Sequence, residues 1–186
     1  MNRWLRVEDL LPSLRALNDG GRHINGVVLH HTSAPTHAQW KGDPSVSGML
    51  SYWEERRQRE GWERPPGYHL LVSPGGVIYA PFVDLAPVLN ANSDQEANRH
   101  CVAVSMVGNF DRGHDVLEGL QRHATLGLLG GLMERYGLPI SHLHFHRDFP
   151  EAHKSCPGNS LDRSDLRGAV LLAQPWARPL LCAPRH

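Results

Sequence analysis

The side chains with the greatest chemical reach in this sequence are its 13 histidines and 3 cysteines. Imidazole is the commonest protein metal ligand and titrates unperturbed near neutrality, so a surplus of it directs attention to metal or acid/base chemistry. Three placements belong together: His30 at the end of an early apolar run, His146 at the end of a late one, and Cys156 ten residues further on. A His, His, Cys set offers three ligands to a tetrahedral Zn²⁺ and leaves the fourth position for water, the open arrangement of a catalytic site. Such an ion would bring the pKa of that water towards ~7. Taken singly, a strand-end His or a buried Cys is ordinarily structural. His31 follows His30 along the same run and should point to the opposite face, which makes it the poorer ligand. His144 shares a face with His146 one strand step deeper and is the alternative to it, with His142 a weaker one. Cys101, Cys156 and Cys182 are an odd number without framework spacing, which argues against a disulfide scaffold.

The elements that must position these residues follow from the pattern of apolar side chains. Ile24 to His31 contains Val27-Val28-Leu29 between turn residues and reads as a strand buried on both faces. Ser47 to Arg59 sets Met49, Leu50 and Trp53 against Glu54, Glu55, Arg56 and Arg57, which predicts an amphipathic helix ended by Gly61. Gly67 to Val72 and Val77 to Ala80, either side of Pro74-Gly75-Gly76, predict a hairpin. Asp84 to His100 is polar and Asn-rich and reads as a loop, while Cys101 to Val107 reads as a second interior strand. Leu117, Leu120, Ala124, Leu128 and Leu132 recur at three- and four-residue steps and predict a helix with these residues on its core face, ending near Tyr136-Gly137. His142 to Phe145 predicts a short strand and Asp162 to Leu172 a last helix.

Strands interleaved with helices, one pair of them a hairpin, imply an α/β fold: a single domain with a central mixed β-sheet flanked by helices on both faces. The chain divides into a leading segment, 1–22, helix-capable to Leu17 and packed on the domain; the domain proper, 23–173; and a loosely held Pro-rich tail, 174–186. Its 186 residues suit one domain. Nineteen basic and nineteen acidic side chains cancel, which removes the electrostatic case for a nucleic-acid partner. Apolar runs such as Leu126 to Met133 fall short of the ~20 residues that cross a bilayer, so no membrane span is expected. Charges interrupt Met1 to Leu11 and no cleavage site follows, so synthesis in the cytoplasm without a general secretory signal is expected. A monomer is the default.

Five segments go further than spacing. Val27-Val28-Leu29-His30-His31-Thr32-Ser33, Gly67 to Val72 with Gly76-Val77-Ile78-Tyr79, Asn98 to Phe110, His146-Arg147-Asp148, and Lys154-Ser155-Cys156-Pro157-Gly158 stand in one order along the chain. In this the sequence resembles the zinc-dependent N-acetylmuramoyl-L-alanine amidases, the type 2 amidase and peptidoglycan recognition protein family. The resemblance implies His30, His146 and Cys156 as Zn²⁺ ligands, Tyr68 beside the zinc-bound water and the substrate carbonyl, and Lys154 as a second catalytic group. It implies a peptidoglycan or muropeptide substrate, cut between N-acetylmuramic acid and L-alanine, and no cofactor beyond zinc. The place of action would be the cell wall after delivery, or cytosolic muropeptides.

Recycling-type members carry a Glu where this chain has Ser105, so the resemblance favours the Tyr68 and Lys154 pairing over a carboxylate base. Many relatives carry a further His where Asn90-Ala91-Asn92 stands here, ahead of an inserted Asp-Gln-Glu. Asn98 is a candidate for shaping the cleft, although an Asn in a loop is more often a turn former. Two alternatives remain open. One is a non-catalytic peptidoglycan-binding module of the same fold, whose members typically lack the terminal Cys. The other is a structural zinc domain, which needs a fourth ligand such as His69 or His153.

Overall fold

Unbroken apolar runs need cover on both faces, and the two longest become the middle of the sheet. In the computed structural model, which describes residues 3–5, 10–150, 152 and 154–173 (3–5, 10 and 11 by backbone alone), every residue of Gly26–His31 (β2) and Cys101–Met106 (β5) is buried. They pair in parallel, from Gly26 opposite Cys101 to His31 opposite Met106. Leu70–Val72 (β3) lies parallel on the far side of β5, and Leu143–Phe145 (β6) parallel on the far side of β2. Ile78–Ala80 (β4) returns antiparallel to β3, and Arg3–Leu5 (β1) closes that edge antiparallel to β4. The order is β1-β4-β3-β5-β2-β6, a mixed sheet in a single α/β domain.

Alternation along each strand sorts side chains between two layers. Val27, Leu29, Leu70, Val72, Val102, Val104, Met106, Leu143 and Phe145 face one side. There they pack against Leu14 of Leu10–Ala16 (α1), against Ala124, Leu128 and Leu132 of Gly119–Tyr136 (α4), and against Leu166 and Val170 of Arg163–Ala173 (α5). Each large aliphatic removed from water there contributes about 1.5–3 kcal/mol before chain entropy is charged. On the other side, Leu71 and Tyr79 meet Val46, Met49 and Trp53 of Asp43–Glu60 (α2), and Val28 meets Ala97 of Gln95–His100 (α3). The sheet registers align His30, Ser105, Leu71 and Tyr79 in one row across this second face.

The structure corrects the sequence reading in four places. Asp84 to His100 is not all loop: Asp94 Oδ1 accepts the Ala97 N–H at 2.8 Å and caps α3. The leading segment holds a strand, β1, ahead of α1. Helix α2 starts at Asp43, with Pro44 in the first turn where its missing N–H has no intrahelical partner to lose. Leu120 is 67% exposed and abuts Gly76 of the hairpin turn instead of the core. Expectations for 174–186, Cys182 and His153 lie outside the described residues. No helix among the described residues is long and apolar enough to cross a membrane.

One glycine sets the approach of α2 to the second face. Gly67 has φ 129°, and a Cβ there would stand 2.6 Å from Cε3 of Trp53. Gly67→Ala is expected to lower stability by about 3 kcal/mol, combining backbone strain with overpacking. The midpoint of a urea titration measures it.

Candidate metal centre

Parallel register creates the centre. Val27, Val28 and Leu29 of β2 stand opposite Leu143, His144 and Phe145 of β6, so one step further along each chain His30 and His146 come side by side. Their ring centroids are 4.6 Å apart. Cys156 comes from the loop after β6; its Sγ lies 3.6 Å from His30 Nδ1 and accepts the His31 N–H at 3.4 Å. One ligand atom from each of His30, His146 and Cys156 falls within 4.8 Å of the others, a group that can hold a metal ion. The donor set itself suits one. His30 Nε2 and His146 Nε2 are buried with no hydrogen-bond partner, the condition in which an imidazole is either costly or a ligand. Among the described residues no further His, Cys, Asp or Glu joins the group, so it resembles an open site more than a closed structural one.

The loop carrying Cys156 is tied down by the residues around it. Arg147 donates to the carbonyl oxygens of Ser155, Gly158 and Leu161 at 3.2, 2.5 and 2.6 Å, with its guanidinium over the Phe145 ring. Asp148 accepts the Phe145 N–H at 2.8 Å and pairs with Arg163. Asp111 accepts from the Ser155 hydroxyl and the Asn159 N–H, both at 2.9 Å. A Cβ at Gly158 would stand 2.3 Å from the Phe110 carbonyl oxygen, which keeps the loop close against the sheet.

Tyr68 and Lys154 lie at the same place. The Tyr68 ring centroid is 5.0 Å from that of His30, and Trp53 meets Tyr68 edge-on at 5.6 Å. Lys154 is exposed and, with Tyr68, His146 and Cys156, lines a cleft of about 1020 Å³ that is also lined by Met49, Trp53 and Arg56 of α2. The alternatives sit elsewhere. His31 Nδ1 accepts the Phe110 N–H at 3.2 Å. His144 packs against Phe149 at 5.8 Å, and His142 Nδ1 contacts the Asn25 carbonyl at 2.6 Å. His69 Nδ1 accepts the Ala103 N–H at 3.0 Å while its Nε2 faces the Pro87 carbonyl at 2.9 Å. Two residues went unread in the sequence. Asn92 lies alongside His30, and its Oδ1 is buried without a hydrogen-bond partner. Arg147 is the clamp just described, a role nothing in the spelling of its motif announces.

Burial governs the protonation of the group. It pushes His30 well below the ordinary imidazole range, helped by His146 and His31. His146 falls to about 4, from burial first and then from Lys154 and His31. Burial raises the Cys156 thiol to about 12, opposed by the His31 N–H, Lys154 and Arg147. Without a metal, then, both imidazoles are neutral and the thiol keeps its proton at neutral pH.

Residues 20–159 match the sequence profile of N-acetylmuramoyl-L-alanine amidase. The chain belongs to the N-acetylmuramoyl-L-alanine amidase family. Solved structures of similar fold include the amidase LysC from Clostridium intestinale, 23% identical over 82% of this chain and 87% of that one, with a TM-score of 0.59. Drosophila PGRP-LB is 18% identical over 79% and 82%, with a TM-score of 0.59. Bumblebee PGRP-SA is 17% identical over 80% and 84%, with a TM-score of 0.60. No curated protein sequence matches the chain significantly. The profile places the chain in the amidase family, and these neighbours share its fold.

Because the two imidazoles are already unprotonated and the thiol is not, metal binding should release one proton, from Cys156. Calorimetric titration with Zn²⁺ in buffers of different ionisation enthalpy is expected to give about one proton per ion, and a Kd that falls about tenfold per pH unit from about pH 6 to 9. Cys156→Ala should remove both the proton release and tight binding.

Proposed function

We propose that the protein is a zinc amidase that hydrolyses the amide between N-acetylmuramic acid and L-alanine in peptidoglycan or its fragments. The observation that carries this reading is the convergence of His30, His146 and Cys156, two orphaned imidazole nitrogens and a buried thiol, beside Tyr68 and Lys154 in one cleft. In this reading His30, His146 and Cys156 hold Zn²⁺. When bound, the ion supplies Lewis acidity and lowers the pKa of a coordinated water.

The chain's own groups do the rest. Lys154 offers a fixed positive charge to the carbonyl oxygen as it gains negative charge. Tyr68 has its pKa raised, by burial first and then by Cys156, so its phenol stays protonated and acts as a donor to the same oxygen or to the departing nitrogen. Water contributes its hydroxyl to the lactyl carbonyl carbon and a proton to the L-alanine nitrogen, and the carbon–nitrogen bond breaks. Ser105 stands opposite His30 in the sheet, where a carboxylate base would need a longer, acidic side chain. One chain supplies every residue of the proposed site, so a monomer suffices. The wall, after delivery, and soluble muropeptides are both suited to an open cleft, and digestion of sacculi compared with that of a soluble muropeptide tells which is the better substrate.

A binding role without cleavage is the second reading, favoured by the presence of recognition proteins among the structural neighbours. A mutant form of Drosophila PGRP-LB is known in complex with tracheal cytotoxin, and the PGRP-LCa and PGRP-LCx ectodomains also bind that molecule. Retention of Cys156 in the group favours hydrolysis over it.

The zinc-loaded protein is expected to release stem peptides with free L-alanine amino termini from muropeptides, as read by mass spectrometry. His146→Ala and Cys156→Ala should abolish release together with metal binding. Lys154→Ala should keep the metal and lower kcat about 100-fold, the size of one lost oxyanion contact. Loss of metal in Lys154→Ala would show that its role was misassigned.

A further inference from the structure

One wall of the cleft hangs on a histidine that the metal centre does not use. From the end of β2 the chain runs through residues 32–42 to the start of α2, and in that stretch Ala34, Pro35, Ala38, Gln39 and Lys41 line the cleft. Thr32 and Ser33 still bond to the end of the sheet, at Met106 and Gly108. Beyond them, every hydrogen bond that residues 34–41 make with a described residue stays within four positions along the chain, except at His37. Trp40 adds an edge-on ring contact with Tyr79 at 5.6 Å.

His37 is held from two sides. Asp115 Oδ2 accepts the His37 N–H at 3.1 Å and the Asn109 N–H at 2.8 Å, and its Oδ1 lies 3.9 Å from His37 Nδ1. His37 Nε2 lies 2.9 Å from Oε1 of Gln121, a residue of α4 that is 1% exposed. The Gln121 amide is fixed in its orientation, because its Nε2 donates to the Val72 carbonyl at 3.0 Å and to the Val107 carbonyl at 2.8 Å, at the end of β3 and one residue past β5. Carbonyls only accept, so Oε1 is the atom that meets the ring, and His37 Nε2 must carry a hydrogen. The backbone leaves room for that ring. Gly108 has φ 140°, and a Cβ there would stand 2.9 Å from His37 Cδ2 and Nε2, while Phe110 meets the ring edge-on at 5.6 Å. His37 is not among the residues lining the cleft, so whatever it contributes there passes through its neighbours in the loop.

Resting on the amidase reading for the identity of the ligand, we propose that His37 is a positioning residue: pinned by Gln121 and Asp115, it holds the 33–41 wall in its binding shape before a muropeptide arrives. A loop tied only at its ends would have to be ordered by the substrate, and affinity would fall by the cost of that ordering. The groups that would hold the metal and face the carbonyl come from β2, from the chain just before β3 and from the segment after β6. Loss of His37 therefore weakens binding and spares the chemical step.

The test uses the full zinc-loaded chain with its His37→Ala and His37→Gln variants. KM and kcat are measured on one muropeptide, and Kd by calorimetry on its ketomethylene isostere, which cannot be hydrolysed. His37→Ala should raise KM and Kd about tenfold, the scale of ordering one or two side chains on binding, and leave kcat and the zinc Kd within about twofold. His37→Gln, whose amide offers an N–H at similar reach, should stay within about threefold of wild type. Amide hydrogen exchange in His37→Ala should speed up across residues 33–41 and stay unchanged in β5 and α4. Nitrogen NMR of the wild-type ring should find the hydrogen on Nε2. An unchanged Kd in His37→Ala, a His37→Gln as impaired as His37→Ala, a loss of zinc affinity, exchange that rises equally in the core, or a bare Nε2 overturns the assignment. Failure of wild type to cleave, with isostere binding weakened in His37→Ala and recovered in His37→Gln, overturns the amidase reading and leaves the role of His37 standing.

Discussion

The register between β2 and β6 is the constraint on which the rest of the site depends. Pairing Val27 with Leu143 and Leu29 with Phe145 sets the end of each strand at the same height, so His30 and His146 meet although most of the chain lies between them. A slip of one residue would turn His30 towards the α4 face and bring His31 into its place. The apolar alternation forbids that slip, because Val27 and Leu29 would have to leave a core they share with Phe145, Leu128 and Leu132. The hydrogen bonds and aliphatic packing that stabilise the sheet therefore also fix the separation of the two imidazoles. Open parallel sheets present their ligand sites at the carboxyl ends of the strands, and the centre lies at that end of β2 and β6.

Holding polar groups in a buried position has a cost, about 1–3 kcal/mol for each one left unsatisfied. His30 Nε2, His146 Nε2, Asn92 Oδ1 and Ser105 Oγ all fall in that class, and all but His146 and Asn92 sit on the row that crosses the second face of the sheet. The opposite face carries a continuous aliphatic layer from Leu14 to Val170, and that layer is what lets this one be polar. Cys156 has no strand to hold it, so its loop depends on charge-assisted bonds: Arg147 to three carbonyls and Asp111 to Ser155 and Asn159. An arginine directed at backbone oxygens fixes a loop without requiring a second buried charge.

Much of this could be read from the sequence, and the failures have physical causes. Strand β2 and the hairpin declared themselves because both their faces are apolar, and the alternation rule sent His31 away from His30, where it now accepts the Phe110 N–H. Helix α3 is not legible in the sequence because its six residues, polar but for Ala97, carry no readable period; its signal is Asp94, whose capping role shows only once Ala97 is placed. Leu120 fitted the period of α4 but belongs to its first turn, beside the hairpin, where the core has ended. The Asn90 to Asn92 stretch looked like a place where a histidine was missing. In the fold, Asn92 turns inward to His30 and binds Asn98 through its backbone and side-chain nitrogens. The sequence places Arg56 among the charged residues of an amphipathic helix, and nothing in its spacing announces that Trp62 comes back beneath it from beyond Gly61.

The signs of the charge effects at the centre agree with one another. A metal-ready state needs neutral imidazole and ionised thiol. Burial serves the first and opposes the second, lowering His146 while raising Cys156. The Lys154 ammonium acts the same useful way on both, since a nearby cation disfavours imidazolium and favours thiolate. Its exposure keeps the effect modest through solvent screening. A buried lysine would have to give up its own proton or find a carboxylate, and the described lining of the cleft offers none. In the proposed reading, an exposed cation at the rim is therefore the position from which one side chain would bias the donors towards a metal and still face a substrate with its charge.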